Sequence, residues 1–377
     1  MFLRKGWFLL NQKALIIITG AVVGGLSIML VKMGNPPNMG YCIACFLRDL
    51  TGGLGLHRSN IVQYIRPEIL GLVLGAFITA LFTREHRTLG GSSSLTRFVL
   101  AFFAMIGMMI FLGCPLRTVL RLSAGDLNAL VGLLGIVAGV LLGVVFLRRG
   151  YSLGRAVPQN KSGGYLFPAI TLALLVLFLA KPAFIFFSEQ GPGSMRAPVA
   201  VSLATGLIIG ALAQRSRLCM VGGFRDFIMF RDFYLLYGFI AVFVIALVGN
   251  LALGGFKLGF ADQPIAHSDG LWNFLGMGLA GFGSVLLGGC PLRQLVSAAE
   301  GNTDSAVTVI GLIAGAAFAH NFGLAASPKG VPAAGQIAVL IGFAVLFLVA
   351  FFNTKVFARR EVKTGGRNQG CAGAPLS

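Results

Sequence analysis

The chain has 377 residues, of which 56% are hydrophobic and only 11% charged, and it carries a formal net charge of +18. Apolar runs of about 18 or more residues, long enough to cross a bilayer, recur along it, and this excludes a soluble multi-domain protein. The charge does not point to nucleic acid. Lys and Arg sit in short segments between apolar runs, where they set topology, and no aromatic-rich basic motif accompanies them.

The chain reads as an all-α polytopic membrane protein with ten spans, at about 14–31, 67–83, 96–113, 127–147, 165–180, 197–214, 234–254, 271–288, 304–322 and 334–354. Helix is expected throughout, because the bilayer core offers an exposed backbone no other hydrogen-bond partners. Arg4, Lys5 and Lys13 precede the first apolar run as in a signal peptide. No clean cleavage site follows, so a retained first helix is expected. With both termini cytoplasmic, the larger share of the basic residues falls inside, including Arg84, Arg148, Arg149, Arg215 and the tail from Lys355, as the positive-inside rule requires. Arg48 and Arg117 are exceptions on the outer side.

Between the first two spans, residues 40–56 are Gly-rich and too interrupted to cross. A segment that dips into the protein and returns is expected there, since irregular backbone at membrane depth must be buried in protein or line a wet cavity. Gly20/Gly24, Gly135/Gly139, Gly206/Gly210 and Gly311/Gly315 have the small-residue spacing of closely packed helices.

Internal repetition organises the rest. Gly113-Cys114-Pro115-Leu116-Arg117 recurs as Gly289-Cys290-Pro291-Leu292-Arg293, an offset of 176 residues that also carries Gly125 onto Gly301 and Gly135/Gly139 onto Gly311/Gly315. Cys42 with Arg48-Asp49 recurs, one residue further on, as Cys219 with Arg225-Asp226. Four matches in one order indicate a duplicated unit, with a first copy at 1–190 and a second at 191–377. Five spans per copy is an odd number, so the copies are expected to point in opposite directions, as inverted repeats do. Cys42 and Cys114 then approach from the outer side, and Cys219 and Cys290 from the cytoplasmic side.

Proline lacks an amide hydrogen and disfavours helix in the residue before it. A break is therefore expected at Cys114 and Cys290, with Arg117 and Arg293 about one turn on if helix resumes. A lone buried cysteine is usually a small hydrophobe. Four in two related pairs, each followed by an arginine, point to a site instead: Cys42, Cys114, Cys219 and Cys290 with Arg48, Arg117, Arg225 and Arg293. Charge at membrane depth usually marks a pathway; the competing reading has these arginines snorkelling to water. Acidic residues lie near span ends, so an anionic or neutral cargo is expected rather than a cation. Cys42-Ile-Ala-Cys45 is a C-x-x-C, either a redox dithiol or half a zinc site. Its second copy, Cys219-Met-Val-Gly222, lacks the partner thiol, and no Cys/His tetrad is completed. No metal or cofactor is expected. The four histidines show no repeat symmetry, and Cys371 lies in a polar Gly-rich tail.

The duplicated Gly-Cys-Pro-Leu-Arg and Cys-x5-Arg-Asp motifs resemble the YeeE/YedE family of membrane proteins over roughly 14–354, and within it most resemble the YedE branch, described as selenium transporters; other members import thiosulfate. The resemblance implies a compact helical inner-membrane transporter, not an enzyme, with thiols along the path passing a sulfur or selenium species through S–H contacts. By motif position that role falls on Cys114 and Cys290, with Cys42 and Cys219 beside them. The partners implied are membrane lipid and the small substrate, with no nucleic acid. Two other classes stay open: a membrane thiol oxidoreductase using Cys42 and Cys45, and a docking protein for a soluble cytoplasmic sulfur or selenium carrier.

Overall fold

The computed structural model describes residues 2–354; Cys371 and the basic tail lie outside the described residues. Ten long helices occupy the ten expected spans: α1 (Phe2–Lys32), α3 (Pro67–Phe82), α4 (Ser94–Phe111), α6 (Leu127–Arg148), α7 (Lys161–Ala180), α8 (Val199–Ser216), α10 (Tyr234–Ala252), α11 (Gly270–Leu286), α13 (Thr303–Asn321) and α14 (Ala333–Phe352). All but the 16-residue α3 meet the length and apolarity of a membrane span by themselves or with the short helix that follows. Four short helices intervene: α2 (Ile43–Gly53), α5 (Pro115–Ser123), α9 (Met220–Phe230) and α12 (Pro291–Ala299). Among the described residues, strand is confined to an antiparallel pair of two-residue strands, β1 (Leu89–Gly90) with β2 (Val157–Pro158). The protein is an all-α polytopic membrane protein.

The most extensive packing among the described residues joins helices distant in sequence: α6 with α11, α3 with α8, α1 with α10, and α4 with α13. Each pair holds one helix from residues 1–190 and one from 191–377. Each also contains one of the four small-residue pairs. Gly135 and Gly139 of α6 lie against Phe274 and Gly278 of α11, and Gly311 and Gly315 of α13 against Phe98 and Phe102 of α4. Contacts that advance together along both helices mean that the partners run parallel. A Cβ at Gly139 would overlap the Gly278 carbonyl oxygen, so this approach requires glycine. Without a hydrophobic drive between helices in lipid, such close backbone packing is a main source of cohesion.

In contrast, α4 and α11 run antiparallel: Gly107 meets Gly276, while Gly283 meets Ala104 and Leu100. The ends bear this out, as His267 before α11 bonds the Ile110 carbonyl and the Arg97 side chain near the start of α4 reaches the Leu287 carbonyl. The two Cys-Pro breaks that follow α4 and α11 therefore sit at opposite ends of this central pair. The last residue of α4, Phe111, lies against Gly132 in the second turn of α6, and α5 carries the chain on to the α6 N-terminus.

Candidate functional site

The four motif cysteines share one structural position. Cys42, Cys114, Cys219 and Cys290 are the N-cap residues of α2, α5, α9 and α12, each in extended backbone conformation. The local cause is visible in two of them: Pro115 and Pro291 take the first helical position, where a missing amide hydrogen costs nothing. The breaks before them are also matched. Leu112 (φ +61°) and Gly288 (φ +85°), 176 residues apart, both adopt left-handed backbone. Glycine does so freely, whereas a leucine there is held under strain by its surroundings.

At one end of the α4–α11 pair, Cys42, Cys45 and Cys114 are brought together, all buried. The Cys42 sulfur lies 2.7 Å from that of Cys45 and 3.8 Å from that of Cys114, and it accepts the Cys45 amide at 3.3 Å. At the other end, Cys219 and Cys290 meet, with the Cys219 sulfur accepting the amides of Gly222 (3.2 Å) and Cys290 (3.3 Å). Each cluster thus stands where two helix N-termini converge, with first-turn amides that lack a helical acceptor and the positive end of the helix dipole directed at one place. Such a place favours an anion.

Each motif arginine has partners. Arg48, buried, donates from Nε and Nη2 to Asp49 (2.9 and 2.7 Å), whose other oxygen receives Nε of buried Arg66 at 2.8 Å. Arg225 repeats the local pair with Asp226 at 2.7 Å and reaches the Gly288 carbonyl. Arg117 is fully buried and has no carboxylate partner among the described residues; it donates to the carbonyls of Asn38 (3.0 Å), Leu112 and Ile265 (3.2 Å), and to the Cys45 sulfur at 3.4 Å. Arg293 instead pairs with Glu300 (3.1 Å). Burial of Arg48 and Arg117 rules out snorkelling for those two.

Four contributing residues carry no motif. Arg66 is the residue before α3 and stacks over Tyr64 and Phe46; a lone arginine before a proline gives no sequence sign of this role. Glu300 lies seven residues after Arg293, two helical turns along the same face, a signal that spacing offers. His57 and His320 stack at 4.7 Å, and His57 Nε2 lies 3.1 Å from the Arg48 carbonyl; no periodicity links them. A cavity of about 750 Å³ is lined by Tyr64, Phe178, Lys181 and Arg196 among others, but by no motif cysteine.

The fold is thus a multispan helical bundle with buried thiol clusters at helix N-termini, set at opposite ends of an antiparallel helix pair. Residues 215–365 match the family model described as Sulphur transport. Over 103 residues the chain is 33% identical to the thiosulfate transporter TsuA of Spirochaeta thermophila, and over 99 residues 30% identical to that of Escherichia coli. These stretches cover 27% and 26% of the chain and only 31% and 28% of those proteins. Over these stretches the chain is similar to the Sulphur transport family and to these two transporters.

Proposed function

We propose that this protein carries a small sulfur- or selenium-containing species, a thiosulfate-like anion or a selenium compound, across the bacterial inner membrane. The observation that carries this reading is the placement of each thiol pair at two converging helix N-termini. Dipole ends attract an oxyanion, and a thiol offers a weak donor and a soft, polarizable contact in place of water. The path runs from Cys42 and Cys114 to Cys219 and Cys290. Arg117, with no carboxylate partner among the described residues, holds positive potential beside it, while Arg48, Arg225 and Arg293 are balanced by Asp49, Asp226 and Glu300 and brace its walls.

The antiparallel run of α4 and α11 supports an inverted repeat of 1–190 and 191–377, the architecture of alternating access. With both termini cytoplasmic, the Cys42 cluster faces outward and the Cys219 cluster inward. Import of a monoanion against an inside-negative potential costs about 2.3 kcal/mol per 100 mV. Uptake is therefore drawn by an ion gradient or by capture of the product inside, the second being the place for a soluble carrier.

The test is uptake of labelled thiosulfate, selenite and selenide into proteoliposomes, comparing wild type with Cys114→Ala/Cys290→Ala. Uptake of one species by wild type and its loss in a folded double variant is the expected result. Equal uptake by both would overturn the thiol path, and no uptake of any species by folded wild type would overturn transport.

A further inference from the structure

The two thiol clusters differ in a coordinated way. Where the second copy has Gly222, the first has Cys45, and where the second has Glu300, the first has Ala124. The backbone role of the Cys45 position survives without the thiol, because the Gly222 amide caps Cys219 just as the Cys45 amide caps Cys42. Only the sulfur is added. The loss of the carboxylate at 124 has a matching effect: Arg293 pairs with Glu300, whereas Arg117 turns its Nη1 to the Cys45 sulfur at 3.4 Å. Extra thiol and redirected guanidinium meet at one point, 2.7 Å from the Cys42 sulfur.

We infer that Cys42 and Cys45 form a redox-active dithiol whose oxidation to an intrahelical disulfide shuts the outer thiol cluster. The inference rests on the proposed path for the entry of the oxidant and for its consequence, closure; the bond-making itself is local to α2. Cys42 is the N-cap and Cys45 the third residue of α2, so a bond of about 2.05 Å requires the sulfurs to close by less than an ångström. A guanidinium beside a thiol at a helix N-terminus favours the thiolate, the reactive form. A peroxide is small enough to follow a path made for small oxyanions. The Cys45 thiolate attacks one peroxide oxygen, the O–O bond breaks, and hydroxide leaves to give a sulfenic acid. The Cys42 sulfur then attacks the Cys45 sulfur, the S–O bond breaks, and water departs with the Cys42 proton. Hydroxide takes up the proton first lost by Cys45, so two thiols and one peroxide yield a disulfide and two waters. The product has no S–H on Cys42 to face Cys114, 3.8 Å away. In the proposed orientation this cluster faces the outside, where disulfides persist.

The experiment treats purified protein in proteoliposomes with hydrogen peroxide, then alkylates free thiols and maps tryptic peptides. Residues 33–48 hold both cysteines and no internal cleavage site. The expected result is that this peptide becomes two hydrogens lighter and resists alkylation, and recovers both properties on reduction. A Cys42–Cys114 cross-link, unchanged peptide, or sulfinic and sulfonic products without a disulfide would overturn the inference. In parallel, wild-type uptake should fall to that of protein-free vesicles after peroxide and return after reduction. Cys45→Ala, measured against its own untreated rate, should show no such fall. A fall in Cys45→Ala equal to wild type would overturn closure by this disulfide. Disulfide formation in protein that transports nothing would leave the dithiol standing and sink the transport reading alone.

Discussion

Asp49→Asn tests how burial sets the worth of a repeated motif. The Asp49 carboxylate is fully buried and balances two cations, Arg48 at 2.7 Å and Arg66 at 2.8 Å, whose side chains are 3% and 0% exposed. Asparagine keeps the shape, removes the negative charge and replaces one acceptor with a donor, so two guanidiniums face each other across a neutral amide. Breaking a buried pair by removing one partner costs about 3–5 kcal/mol. The control is its sequence twin, Asp226→Asn. Arg225 and Asp226 are 26% and 18% exposed, and Asp226 has Arg225 as its one salt-bridge partner among the described residues. Water compensates there, and the loss should be about 1 kcal/mol or less, as for surface pairs. The assay is thermal unfolding of both variants in one detergent, read by tryptophan fluorescence or by aggregation. Asp49→Asn should lower the midpoint severalfold more than Asp226→Asn. Equal shifts would refute the reasoning, because they would mean that the motif, and not its burial, sets the energy.

Gly139→Leu should separate α6 from α11, since even a Cβ there overlaps the Gly278 carbonyl; a loss of at least about 1–3 kcal/mol is expected. Gly25→Ala, whose Cβ would meet only Ile245 at an ordinary 3.8 Å, should leave the melting midpoint unmoved. In the α3–α4 loop, burial pushes the Glu85 carboxyl up, but the Gln214 hydrogen bond and the nearby Arg217 and Arg215 outweigh it and hold the group below its ordinary value. A depressed carboxyl contributes stability above its unfolded value that is lost as pH falls through the folded one. Acid below about pH 4.5 should therefore weaken this contact, with a small effect because the side chain is 36% exposed. Melting curves of Glu85→Gln should lack that increment of acid sensitivity; an unchanged pH profile would remove Glu85 from the account.

Much of this molecule is written locally. Ten apolar runs became ten helices because a bilayer leaves an apolar backbone no alternative, and Cys114-Pro115 and Cys290-Pro291 became helix starts because proline permits little else there. The four small-residue pairs were legible as packing sites, though not their partners. What only the tertiary structure decided is which identical motifs are equivalent in environment. Arg48-Asp49 and Arg225-Asp226 read alike, yet Arg66 comes to the first while Phe233 stands before α10 where Arg66 stands before α3. Arg117 and Arg293 read alike, yet one faces a thiol and the other a carboxylate. Helix and break follow from each residue's immediate neighbours. Charge balance and thiol proximity depend on residues distant in sequence, 72 positions apart for Cys42 and Cys114 and 132 for Glu85 and Arg217, and only folding sets them side by side.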